Sequence, residues 1–184
     1  MTRQPLVLHL NGAPGVGKST LARLWADRHP GTLLLDIDVL RTWVSGWEDD
    51  YVAVGATVRP AAVALLSAYV RNGGSVVLPQ LLADPAELDR FRSAALETGG
   101  RWVEVLVEAD DVAARFGSRA IDQPHLEAVH RLVEAAPDDH LARYVDRLRG
   151  LVDTMPGAVR LATTDGDVEA AYAVLVETVR DAPG

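Results

Sequence analysis

The sequence predicts an α/β fold in three layers, a five-stranded parallel sheet with helices on both faces and a small lid. Three observations predict it. Short apolar runs at 6–10, 32–36, 75–78, 102–107 and 159–162 have the length and unbroken hydrophobicity of strands buried on both faces. Stretches with apolar residues at helical spacing alternate with them. The first run opens directly into a glycine-rich turn, and that turn into a helix. A chain of 184 residues suits one domain, 1–184, with the lid at about 115–137.

The turn is Asn11-Gly12-Ala13-Pro14-Gly15-Val16-Gly17-Lys18-Ser19-Thr20. It contains Gly12-x-x-x-x-Gly17-Lys18-Ser19, the phosphate-binding loop pattern, in the strand–loop–helix context that the pattern requires. Gly12, Gly15 and Gly17 let the backbone turn tightly, so that successive N–H groups point at an anion. The loop ends at a helix N-terminus, where free N–H groups and the helix dipole favour phosphate. Lys18 can reach the β- and γ-phosphates and the Ser19 hydroxyl can ligate Mg²⁺. Residues 12–20 are therefore expected to bind ATP with Mg²⁺, on a fold of the P-loop NTPase kind. Lys18 is also the only lysine in the chain, a compact ammonium on a flexible stem in a composition otherwise given over to arginine.

The bulk properties exclude several classes. A net charge of −8 with no basic stripe argues against nucleic-acid binding. The absence of cysteine removes disulfides and thiolate metal sites. The N-terminal apolar run is too short for a signal peptide, and no run reaches the roughly 18 apolar residues of a membrane span. The expectation is a soluble, cytoplasmic protein.

After the first helix, His29-Pro30-Gly31 stops the chain and the second strand follows at 32–36. It ends in Asp36-Ile37-Asp38, and a short helix is expected from Val39. Strand carboxyl ends form the ligand crevice of open α/β sheets, so both aspartates are expected near the loop if the second strand lies close to the first. One would serve Mg²⁺ and the other the substrate hydroxyl, as hydrogen-bond or proton acceptor. Asp38 as a simple cap of the next helix is the plainer alternative. Arg41 would hold the acceptor or sit solvated. Trp43, Trp47 and Tyr51 are dense for a chain that is 5% aromatic, and either line an acceptor pocket or form the core of a short insert. Glu48, Asp49 and Asp50 are expected to be solvated.

A helix is expected over 58–71, with Arg59-Pro60 at its start and Asn72-Gly73-Gly74 as its stop. The third strand lacks the aspartate usual at its end and runs into Pro79-Gln80 instead. The metal carboxylate then comes from Asp36, or Gln80 contacts substrate as a neutral amide. Asp84 and Pro85 start the next helix. After the fourth strand, a short helix at 110–117 carries Arg115 toward Arg119 and the Asp122-Gln123-Pro124 turn. Two arginines in such an arm suit a mobile lid that closes on the transferring phosphate. His125 and His130, five apart on the following helix, are spaced poorly for a shared metal and read as surface or packing residues. Asp138 or Asp139 caps the next helix. After the fifth strand, Thr163 and Thr164 are placed to contact adenine, and Asp165-Gly166 reads equally as a plain turn.

With these elements placed, the chain resembles the small P-loop kinases, the nucleoside-monophosphate-kinase-like phosphotransferases. Residues 35–41 (LDIDVLR) are similar to the acidic segment after strand two in shikimate, gluconate and adenylylsulfate kinases. The opening LNGAPGVGKST is similar to chloramphenicol phosphotransferase and tunicamycin-resistance proteins. The resemblance implies ATP, Mg²⁺ and transfer to a hydroxyl of a small molecule, an antibiotic, nucleoside or sugar. It gives Asp38 the role of base or acceptor-positioning residue, with Asp36 as fallback, and Arg115 and Arg119 the role of lid arginines. The absent aspartate after strand three departs from some members.

Two other readings are a regulatory P-loop ATPase and a resistance protein that sequesters a drug with ATP. A guanine-type Asn-Lys-x-Asp signature cannot exist beyond Lys18, and no Asp-x-x-Gly follows strand three.

Overall fold

The structure, a computed structural model, describes residues 4–110, 112–118, 123–136, 139–164 and 167–182. Its strands are β1 (Leu6–Asn11), β2 (Thr32–Leu34), β3 (Ser75–Leu78), β4 (Arg101–Glu108) and β5 (Val159–Ala162). They form one parallel sheet in the order β2-β3-β1-β4-β5. The helices are α1 (Lys18–Arg28), α2 (Ile37–Arg41), α3 (Tyr51–Arg71), α4 (Pro85–Glu97), α5 (Val112–Ser118), α6 (Pro124–Glu134), α7 (His140–Asp153) and α8 (Val168–Asp181). This is the three-layer αβα P-loop NTPase fold that the sequence predicts.

Strand alternation divides the core. Leu8, Leu10 and Val77 face α1 and α8, packing with Leu21, Trp25, Tyr172 and Leu175. Val7, Val76 and Leu78 face α3 and α4, packing with Leu66, Val70, Phe91 and Ala95. Burying each such large side chain contributes about 1.5–3 kcal/mol.

The second strand does not lie beside the first, because β3 stands between them, pairing Val7 with Val76 on one side and Leu33 with Val76 on the other. The helix expected over 58–71 begins at Tyr51, where Asp50 accepts a hydrogen bond from the Ala53 N–H at 2.9 Å. Pro60 therefore lies inside the helix rather than at its start, on an exposed position. By length and mean composition alone α3 could cross a membrane, but Thr57, Arg59 and Pro60 interrupt it, so it holds no unbroken run of about 18 apolar residues. Here its Val58, Ala62, Leu66 and Val70 face is packed in the core.

Arg119, Asp122, Asp138, Asp165 and Gly166 lie outside the described residues. Asp139 stands at the N-cap of α7 without a side-chain cap bond.

Candidate active site

The phosphate loop has the backbone that its glycines allow. Gly15 and Gly17 have φ of +89° and +94°, in the left-handed region that side chains disfavour. Gly12 lies so close to β4 that a Cβ would run into the Val107 carbonyl oxygen. Helix α1 starts at Lys18 with Gly17 as N-cap and no side-chain cap bond, so its first N–H groups remain for an anion. The buried Lys18 ammonium donates to the Ala13 carbonyl at 2.7 Å across the loop.

A polar network under the loop ties it to the end of β3. The Asn11 carboxamide accepts from the N–H groups of Gly12 (2.9 Å) and Leu82 (3.1 Å). It donates to the Leu82 carbonyl (3.0 Å) and to Glu104 Oε1 (3.1 Å). His9 lies between Glu104 Oε2 (2.7 Å from Nδ1) and the Gln80 carbonyl (2.9 Å from Nε2). Trp102 Nε1 also donates to Glu104 Oε2 at 3.1 Å. Three polar groups, from Asn11, His9 and Trp102, thus meet on the one buried Glu104 carboxyl, and His9 bridges it to the Gln80 backbone. Gln80, clamped through its carbonyl, is only 5% exposed, and its Oε1 has no hydrogen-bond partner among the described residues.

The acidic turn after β2 arrives at the same place. The cap of α2 is Asp36, not Asp38: Asp36 Oδ1 accepts from the N–H groups of Asp38 (3.0 Å) and Val39 (3.4 Å). Burial raises the Asp36 carboxyl above the usual carboxylate range, and the neighbouring Asp38 charge adds to this. His125 and the two backbone donors oppose the shift. Asp38 Oδ1 accepts the Tyr51 hydroxyl at 2.7 Å and lies 3.6 Å from Arg41 Nε. Burial, and then the Asp38 charge, push the Tyr51 hydroxyl up, so it remains a donor. Arg41 is buried rather than solvated. Its guanidinium lies 4.0 Å from the Tyr51 ring centre and donates to the Tyr51 carbonyl at 3.2 Å. Gly55, one turn further along α3, leaves the space that this guanidinium fills.

These groups share one cleft of about 310 Å³, within the usual size of small-molecule sites. Lys18, Ser19, Asp36, Asp38, Arg41 and Gln80 line its polar end. Tyr51, Arg59 and His125 line it too, and the sequence reading gave none of them a firm role there. The Arg59 Nε is buried without a hydrogen-bond partner. His125 is not a plain packing residue, since it faces the cleft and acts on Asp36. No periodicity could have shown this, because α6 reaches the cleft only through tertiary packing. His130 does pack, stacked on Phe116 at 4.2 Å between ring centres.

Other expected contributors stand elsewhere. Trp43 is 75% exposed and Trp47 is buried against Tyr51 and Ala128, and neither lines the cleft. The core of the insert, not an acceptor wall, accounts for Trp47, because α6 covers it. Glu48, Asp49 and Asp50 are exposed as expected. Arg115 donates to the Thr163 hydroxyl and carbonyl, both at 3.0 Å, latching α5 to the loop after β5. The Thr163 hydroxyl lies 3.0 Å from the carbonyls of Val16 and Glu108, so it is engaged with the phosphate loop itself, while Thr164 is exposed.

Comparison with known proteins agrees with this fold. No curated protein sequence matches the chain. The APS kinase of Mycobacterium tuberculosis, solved with AMPPNP and APS, is similar in structure at 18% identity and a TM-score of 0.62. The match covers 97% of this chain and 99% of that one. A Chloroflexus aurantiacus protein described provisionally as a kinase matches over 100% of both chains at 17% identity and a TM-score of 0.66. The tunicamycin resistance protein of Deinococcus radiodurans matches at 20% identity and a TM-score of 0.56, over 94% of this chain and 96% of that one. At such identities these likenesses establish the fold. The family described as an AAA domain matches residues 7–151, most of the chain and all of the cleft's polar end, and the protein belongs to that family of P-loop proteins.

Proposed function

We propose that the protein is an ATP-dependent phosphotransferase that moves the γ-phosphate of ATP to a hydroxyl of a small molecule. The observation that carries this reading is the meeting of Lys18 and Ser19 with Asp36 and Asp38 in one cleft. Phosphoryl transfer needs positioning and charge neutralisation more than covalent help from the protein. The loop amides and Lys18 supply both for the phosphates. Asp38, held by Tyr51 and Arg41, orients the acceptor hydroxyl and takes its proton.

The donor set fits Mg²⁺, which binds hard oxygen ligands and is commonly held by one or two carboxylates together with substrate phosphates. Ser19 and Asp36 would hold it, and it would neutralise charge on the β- and γ-phosphates. A cation there would also offset the burial that disfavours ionised Asp36. Arg115 and Thr163 belong to the nucleoside side of the loop, where the latch shapes the edge of the base pocket. The similar Mycobacterium structure is a complex with both AMPPNP and APS, which supports a nucleotide and a second small molecule as the two ligands.

The test is a thermal-shift screen of hydroxylated small molecules at fixed ATP–Mg²⁺, with mass spectrometry of each hit for a gained phosphate. Phosphate gain that disappears in Lys18→Ala supports the reading. A hit that binds and stays unmodified favours sequestration, and failure of ATP–Mg²⁺ to stabilise the protein rejects the nucleotide site.

A further inference from the structure

Two arginines line the cleft, and they are used differently. Arg41 is committed to the protein. It lies against the Tyr51 ring, donates to the Tyr51 carbonyl and stands 3.6 Å from Asp38. Arg59 is half-buried, and none of its nitrogens meets an oxygen of the described residues. Only its Nε is enclosed; the two Nη groups keep access to solvent, on a residue that lines the cleft. A guanidinium partly out of water without a counter-charge costs free energy that a bound anion offsets. The two acids of the cleft are engaged elsewhere, Asp36 in capping α2 and Asp38 in holding Tyr51 and Arg41. Tyr51, Gly55 and Arg59 follow at four-residue steps on one face of α3. Arg41 crosses that face at Gly55, so Arg59 stands one turn, about 6 Å, farther along the helix. His125 and His140 line the same cleft and are cations only when protonated. His125 already acts on Asp36, and the His140 ring packs edge-on against Tyr144 at 4.4 Å. Leu126, Val129 and Val133 are among the apolar residues that α6 gives to the cleft. Such surroundings lower the local dielectric and strengthen an ion pair made there.

From this uncommitted guanidinium we infer that Arg59 binds an anionic group of the phosphate acceptor, which is therefore a hydroxylated carboxylate, sulfate or phosphate and not a neutral alcohol. The inference rests on the phosphotransferase reading. The planar fork of the guanidinium matches such groups. Asp38 receives the hydroxyl at the Tyr51 end of the α3 face, and the anion lies one turn farther on. The γ-phosphate of ATP presents the same chemistry, but Lys18 and the loop amides already serve it, and the test below separates the two. In the transfer itself, the acceptor oxygen bonds to the γ-phosphorus. The bond to the β,γ-bridging oxygen breaks, ADP leaves with that electron pair, and the hydroxyl proton passes to Asp38 and then to water.

The test has two arms, both on the full chain. In the first, AMPPNP–Mg²⁺ fills the nucleotide site, and inorganic sulfate is titrated by calorimetry against sodium chloride of equal ionic strength. Wild type and Arg23→Gln, an exposed substitution of equal charge that carries the non-specific effect of sulfate, should bind the ion alike. Arg59→Gln should bind it at least roughly tenfold more weakly. Sulfate binding that does not depend on Arg59 overturns the inference. So does an Arg59→Gln variant that loses AMPPNP–Mg²⁺ affinity tenfold without sulfate, since Arg59 would then serve the γ-phosphate. In the second arm, ATP–Mg²⁺ is offered matched acceptors, glycerol with glycerol 3-phosphate, D-glucose with D-gluconate, and adenosine with adenylylsulfate. Any transfer should favour the anionic member of a pair by at least roughly tenfold in kcat/KM, and Arg59→Gln should remove that preference without slowing the neutral member. Transfer that favours the neutral member overturns the inference and leaves the phosphotransferase reading standing. Failure of wild type to bind AMPPNP–Mg²⁺ would instead remove the reading beneath it.

Discussion

The Tyr51 hydroxyl donates to Asp38 Oδ1 across 2.7 Å, joining the first turn of α3 to the acidic turn after β2. One oxygen of Asp38 is thereby occupied and the carboxylate is fixed in orientation, with Arg41 at 3.6 Å on the same oxygen. A base used for phosphoryl transfer benefits from such restraint, because misplacement of the reacting groups is costly in rate.

Tyr51→Phe removes this bond while keeping the ring against Arg41 and Trp47. The expected loss of stability is about 1 kcal/mol, the usual net worth of one hydrogen bond. Turnover of any accepted hydroxyl should fall roughly tenfold or more through lost orientation, with ATP affinity preserved. Urea denaturation and steady-state kinetics read the two effects separately, and unaltered turnover would remove Tyr51 from the positioning of Asp38.

Gly55→Ala should injure the same site from behind. A Cβ at this position would come within 2.5–2.6 Å of the Arg41 guanidinium, which must then leave its place on the Tyr51 ring and move toward the cleft that it lines. Overpacking of this kind costs about 1–3 kcal/mol. The gain in helix propensity from glycine to alanine, about 1 kcal/mol, offsets part of it. Thermal unfolding should show a net loss together with reduced turnover; a more stable variant with full activity would mean that Arg41 has room to move.

Asp36→Asn separates stability from activity. Asparagine still caps α2, so the turn should persist. The folded-state proton affinity of Asp36 is raised above its ordinary value of 3.8, chiefly by burial. As pH rises past that ordinary value, the unfolded chain gives up its proton first, and wild-type stability falls until the folded carboxyl has also ionised. At neutral pH the wild type carries the whole penalty and the asparagine variant carries none. The variant should therefore melt higher near pH 7, with the gap closing as the pH is lowered toward the ordinary carboxylate range. Mg²⁺-dependent turnover should be lost at the same time. Calorimetry across pH would reject this account if the gap stayed constant.

Glu104→Gln alters the centre of the buried network, where Asn11, His9 and Trp102 meet one carboxyl. A glutamine puts an amide NH₂, a donor only, in place of one of the two carboxyl oxygens, so at least one of these partners is left unsatisfied. A buried polar group without its partner costs about 1–3 kcal/mol. Chemical denaturation measures the loss. A variant as stable as wild type would show that the network under the phosphate loop is dispensable.

The sequence by itself determined the order of strands and helices, the phosphate loop and the stops between elements. These signals are local. A glycine pattern, a cap or an apolar period acts within one or two turns of chain, so Gly12 to Ser19 and the run from Asp36 to Arg41 could be read directly. That reading also put Lys18, Ser19, Asp36, Asp38, Arg41 and Gln80 on the list of groups that the structure gathers in one cleft. Tertiary structure alone decided the rest. It set β3 between β1 and β2, started α3 at Tyr51, and turned His125 and Arg59 into the cleft. It left Trp43 in solvent and drew Arg115 onto Thr163. His9 and Glu104 show the reason most plainly: they are 95 positions apart, and each alone reads as a polar interruption in a strand. Only the register of β1 with β4 places them side by side, 2.7 Å apart in the buried network under the phosphate loop.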